Sequence, residues 1–113
     1  MKMAWFVAVL VFILLDIVSG LVKAFATTGF DSSIMRQGAY HKIGEVLAVC
    51  LMAAADYYLP LVGVTVGVSF SAIGCAYFVV MEIGSVLENI GIINPELVGP
   101  LSKIFAKLKK GGD

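Results

Sequence analysis

Little of this chain is charged, and almost none of it consists of the residues from which catalytic or metal sites are built. Charged residues make up 14% of its 113 positions, where a soluble domain of this size carries roughly a quarter. There is one histidine, His41, and there are two cysteines, Cys50 and Cys75. Both cysteines lie in apolar runs without a companion at metal-ligand spacing, so they read as small hydrophobes. A lone histidine beside Lys42 reads as solvated or interfacial. Phosphate-cradling glycine loops, nucleophile elbows and metal-binding spacings are all missing, so no catalytic residue, metal ligand or cofactor is assigned and the chain reads as non-enzymatic. An excess of either charge is missing too: eight Lys plus Arg balance eight Asp plus Glu, and no aromatic interleaving beside the basic residues points to nucleic acid.

What the sequence does have is apolar mass. Hydrophobic residues are 60% of it and the mean hydropathy is +0.99. A short soluble chain has too little interior to hide so many Val, Ile, Leu and Phe side chains, so lipid must be the solvent for much of it. Met3 to Leu15 is unbroken apolar sequence, and Ile17 to Val22 continues it past Asp16. That gives a first span at about residues 3–24, long enough to cross a hydrocarbon core of ~30 Å. Lys2 alone precedes it and no small-residue cleavage site follows, so a retained anchor is expected rather than a cleaved signal. Thr27 to Lys42 is polar and reads as a loop. Ile43 to Met81 is too long for one span and suits two, at about 43–58 and 61–81. The hinge is expected at Tyr57-Tyr58-Leu59-Pro60, because proline removes a backbone donor and paired tyrosines favour the water–lipid boundary. Residues 82–94 read as an amphipathic segment leaving the bilayer. A basic helix is expected at about 95–110, with Leu101, Ile104, Phe105 and Leu108 on one face. The expected fold is thus an all-α membrane protein of three transmembrane helices plus a short amphipathic C-terminal helix, forming one domain over residues 1–113.

Basic residues in short loops mark the cytoplasmic side. Lys23, Arg36 and Lys42 flank the first loop, and Lys103, Lys107, Lys109 and Lys110 crowd the tail, where attraction to anionic lipid is worth ~1 kcal/mol per residue. Two spans separate these groups, which predicts the N-terminus outside and the C-terminus inside.

Ionisable residues within a span cost ~2.5–3.5 kcal/mol on insertion scales and need a partner or a water path. At helical spacing Asp16 shares a face with Ser19, Gly20 and Lys23. Glu45 and Asp56 share a stripe with Ala48 and Met52, and Glu82, Ser85 and Asn89 share another. Each hydrophobic element therefore carries a polar seam; the alternative is that these groups sit near helix ends and reach the headgroups. Gly63, Gly67, Ser71 and Cys75 recur every fourth residue, a period at which small side chains let helices pack closely.

The residues "DIVSGLVKA" (Asp16, Gly20, Lys23, Ala24), the loop with Gly38 and Lys42, "AAADYY" with Asp56, and "YFVVMEIGSVLENIGIINPEL" resemble the small phage holins, which include toxin-secretion holin-like proteins. Glu82, Ser85, Glu88 and Asn89 followed by Pro95 are the most specific part. Met81 departs from the polar residue usual before that glutamate, and the stretch after Pro60 is more apolar than usual. The resemblance implies homo-oligomers in the bacterial cytoplasmic membrane that open lesions through which an endolysin or a toxin leaves. Asp16, Ser19, Lys23, Glu45, Asp56, Glu82, Ser85, Glu88 and Asn89 would then line water, and Gly20, Gly63, Gly67, Ser71 and Cys75 would pack helices. Met1-Lys2-Met3 also fits the two start sites that some holins use, the longer product, with an extra positive charge, being an antiholin. A small proton-coupled transporter or its accessory subunit, with Asp16 as proton relay, is the competing reading, and an inert anchoring subunit is a third.

Overall fold

The computed structural model describes residues 2–27, 29 and 31–107. It is all helical: α1 (Met3–Ala26), α2 (Ser32–Leu61), α3 (Phe70–Ile93), a 3-10 turn (Pro95–Leu97) and α4 (Val98–Phe105), with no strand among the described residues. The first three are long and apolar enough to cross a membrane. Their large apolar side chains point outward: Val7, Leu10, Leu14 and Val18 on α1, Leu47 and Leu51 on α2, and Ile73 and Tyr77 on α3 are all exposed. Water would not tolerate such a continuous apolar exterior, whereas lipid tails meet it at no cost.

Helix α2 starts well before the expected span. Asp31 caps it, accepting from the backbone N–H of Ser33 at 2.9 Å and of Ile34 at 3.3 Å. The polar stretch expected as a loop over residues 27–42 is therefore mostly helix, because low hydropathy removes a segment from lipid without removing it from a helix. At 30 residues α2 runs about 45 Å, longer than a hydrocarbon core of ~30 Å.

The hinge also moves. Pro60 lies inside the last turn of α2, where the single backbone bond it forfeits costs little. The helix is ended by Gly63, whose φ is +89°. Its N–H donates to Pro60 C=O at 3.2 Å and Val64 N–H donates to Leu59 C=O at 2.9 Å, the pair of bonds that closes a Schellman turn. Gly67, at φ +81°, lies in the same connection. The small-residue ridge is thus corrected: Gly63 and Gly67 are not helical, and a Cβ at either would meet nothing within 4 Å. Their spacing reflects turn chemistry. Ser71 and Cys75 do lie on α3 and are buried, and the close approach falls instead at Gly74, where a Cβ would run into Met52 of α2.

Helix α3 begins at Phe70 rather than 61 and continues to Ile93, so residues 82–93 extend the third long helix instead of leaving it. The C-terminal segment opens with Pro95 as the first residue of the 3-10 turn. On α4, Leu101 and Phe105 are half-buried while Ile104 is exposed, which narrows the expected apolar face. Leu108, Lys109 and Lys110 lie outside the described residues.

The chain divides into two compact units, Met1–Val11 with Asp31–Val79, and Phe12–Phe30 with Val80–Asp113. The first buries Val9, Val49, Ser71 and Cys75. In the second, Phe12, Leu15, Ile83, Val86, Leu87, Ile90, Leu101 and Phe105 surround an apolar cavity of about 160 Å³, so α4 packs its apolar side onto α1 and α3.

Gly67→Ala is expected to lower stability by about 1–2 kcal/mol, the cost of a Cβ in the left-handed region, although the site is open. A helical ridge would tolerate alanine without loss, so thermal unfolding in detergent micelles distinguishes the two.

Candidate functional site

A carboxylate on an apolar helix must be met by donors, since an isolated buried charge is far costlier than a hydrogen-bonded one. One cluster within each unit answers this need with hydrogen bonds, and a third, at Glu45 in the first unit, answers it with neighbouring basic side chains.

At the junction of α2 and α3, Asp56 acts as a cap supplied from another helix. Its Oδ1 accepts from Phe70 N–H at 2.7 Å, and its Oδ2 accepts from Ser71 N–H at 2.9 Å and from Ser69 Oγ at 3.0 Å. Ser69 Oγ in turn accepts from Ala72 N–H at 3.1 Å. The first N–H groups of a helix have no partners inside it and carry partial positive charge, so one carboxylate and one hydroxyl together meet three of them. Ser69 just before an apolar run was a legible N-cap signal, but hydropathy alone had placed it inside a span. Asp56 and Ser69 also border an open cleft of about 580 Å³ together with Lys2, Trp5, Leu59, Pro60 and the connection Val64–Val68.

Farther up α2, Glu45 is 3% exposed. His41 Nε2 lies 3.0 Å from its Oε1, an ion pair when the imidazole is protonated, and Lys42 Nζ lies 3.9 Å from the same oxygen. The i, i+4 and i, i+3 spacings place both bases over the carboxylate. His41 is thus not simply a solvated loop residue, a consequence of the loop having become helix.

In the second unit Asn89 of α3 binds α1. Its Nδ2 donates to Asp16 Oδ1 at 2.9 Å, to Ser19 Oγ at 2.9 Å and, more weakly, to Asp16 C=O at 3.4 Å. Ser19 Oγ donates to Asp16 C=O at 3.2 Å. A Cβ at Gly20 would stand 3.7 Å from Asn89 Nδ2, an ordinary van der Waals contact, so the amide's approach leaves room for one. Asn89 is buried, and Asp16, Ser19, Gly20 and Lys23 are half-buried.

The seam residues therefore mostly turn inward within a single chain. Glu82 is buried and Ser85 half-buried on α3, whereas Glu88 is exposed. Lys103 and Lys107 are exposed on the C-terminal segment.

Comparison with known proteins follows the same direction. The model described as the bacteriophage holin family matches residues 2–110. No curated protein and no solved structure matches the chain.

Two substitutions test the clusters as built. Asp56→Ala is expected to cost about 1–2 kcal/mol, as loss of a cap does, and to raise amide hydrogen exchange at Phe70 and Ser71 first. A double-mutant cycle over Asp16→Ala and Asn89→Ala is expected to show a coupling of about 1 kcal/mol in unfolding from mixed micelles.

Proposed function

The chain belongs to the bacteriophage holin family and is a multi-pass membrane protein, and from that premise we propose that it oligomerises in the bacterial cytoplasmic membrane and opens lesions that release an endolysin or a toxin. The observation that carries the proposal is the Asp16–Ser19–Asn89 cluster: a carboxylate, a hydroxyl and an amide joined between two otherwise apolar helices. A lesion needs helices with one side for lipid and another for water. The exposed faces of α1 to α3 supply the first, and the clustered polar groups supply the second once they exchange one another for water.

In this reading Asp16, Ser19, Lys23, Glu45, Asp56, Glu82, Ser85, Glu88 and Asn89 line water in the open assembly. Gly20 and the Gly74–Met52 contact set how closely the helices approach before opening. The endolysin is a functional partner that passes through without stable contact, and a longer product starting at Met1 would act as antiholin to one starting at Met3. Residues 1–113 work as one holin domain, with Met1 outside and the Lys-rich tail at the cytoplasmic face. Any ionised group that moves through the membrane field on opening couples to it by ~2.3 kcal/mol per 100 mV, so depolarisation would favour opening.

Expression in a bacterium is expected to give an abrupt loss of membrane potential and viability after a delay. A substrate-dependent pH change without lysis would instead point to the transporter reading. Asp16→Asn is expected to insert normally and shift lysis timing. Asp16→Leu is expected to delay lysis further or abolish it, and normal timing for the Leu variant at matched membrane levels would remove Asp16 from the lesion wall. Cysteine-accessibility labelling is expected to find position 103 protected from outside reagents in intact cells and Tyr58→Cys open to them; the reverse pattern would invert the topology.

A further inference from the structure

The cleft of the first unit is bordered by the start of α1, the end of α2 and the start of α3. Three long helices turn or end there, so the cleft lies where a bilayer gives way to headgroups. Tyr57 and Tyr58, both exposed, and Trp5 are the aromatic residues that favour that layer. At about 580 Å³ its size is that of a small-molecule site.

Among the described residues its two charged groups, Lys2 and Asp56, are of opposite sign and do not meet. Lys2 Nζ sits 5.8 Å from the centre of the Trp5 ring, and among the described residues no ion pair joins it to Asp56. The Asp56 carboxylate is held by three donors, one on Oδ1 and two on Oδ2. A carboxylate has about four acceptor sites, so Oδ1 keeps room for another donor, and among the described residues no ion pair balances the charge. A cleft at headgroup depth that offers one cation and one hydrogen-bonding anion, set apart, matches a group with an anionic and a cationic end.

We propose that this cleft binds the amine–phosphate headgroup of a phospholipid, with the phosphate at Lys2 and the primary ammonium at Asp56. The apolar residues Leu59 and Val64 would then border the first methylenes of the acyl chains. A quaternary choline brings the same charges but no N–H to donate, and a glycerol headgroup brings no cation, so the site discriminates between lipids on the ammonium. This assignment is independent of lesion formation.

Trp5 is the single tryptophan and borders the cleft, which makes it the reporter. The full chain is reconstituted in phosphatidylcholine vesicles carrying a minor fraction of brominated phosphatidylethanolamine, phosphatidylcholine or phosphatidylglycerol, and quenching of Trp5 is compared. Phosphatidylethanolamine is expected to be preferred by about fivefold, as ~1 kcal/mol of added binding would give. Lys2→Gln and Asp56→Asn should each bring the preference close to one; the Asn variant keeps an acceptor for the α3 cap, so the helix start is retained. Equal quenching by the three lipids, or a preference that survives both substitutions, overturns the proposal. In detergent without lipid, soluble phosphoethanolamine that shields Trp5 from iodide while the three lipids quench alike would assign the amine–phosphate chemistry to a soluble molecule and overturn the lipid as its source.

Discussion

Helix α3 starts with N–H groups that have no partner within the helix, and the way those groups are met governs what surrounds it. Asp56 reaches them from α2 and Ser69 from the connection. In water such a cap is one stabilising contact among many, since solvent would satisfy the same groups. Here the donors come from one end of α3 and the acceptor from another helix, so the position of Asp56 ties the end of α2 to the beginning of α3. The connection between them then has to leave α2 through a sharp reversal, which Gly63 supplies with its left-handed backbone.

The same demand accounts for the other polar groups. Asp16 receives the Asn89 amide, and Glu45 lies under His41 and Lys42. Between two helices in lipid, hydrophobic burial contributes little, because the tails are as apolar as the side chains they would replace. Specific packing then comes from close approach and from hydrogen bonds. Gly74 against Met52 is a close approach, and Asn89 with Asp16 and Ser19 is a hydrogen-bonded contact.

Much of the architecture was legible because lipid imposes length and hydropathy directly. Three long apolar helices and a short C-terminal one follow from the runs of Leu, Val, Ile and Phe. Boundaries were less legible where a polar helix looks like a loop, as over residues 32–42, although Asp31 before Ser32-Ser33 was a cap in plain view. Pro60 drew the hinge towards itself because its general preference is strong, yet near a helix end it forfeits one bond and the helix continues. The period of Gly63 and Gly67 resembled a packing ridge because a four-residue spacing does not reveal whether the backbone is helical. The polar faces were readable as faces, since Asp16, Ser19, Gly20 and Lys23 are all half-buried together. Their partner was not, because Asn89 stands far along the chain and a single sequence carries no sign of that pairing.

Internal pairing also bears on how a lesion would form. A helix with an unsatisfied carboxylate would insert poorly and seek the first partner available, so copies could not accumulate quietly. Here Asp16 enters lipid already hydrogen-bonded, which suits a closed form that persists. In the proposed opening, water would replace the Asn89 amide at the same oxygen, an exchange whose net cost per bond is only about 0.5–1.5 kcal/mol. Were that exchange the main difference between the two states, a change of membrane potential acting on even one moving charge would be enough to shift them. The polar clusters that make the chain stable in the bilayer would then also leave it close to the balance point between closed and open.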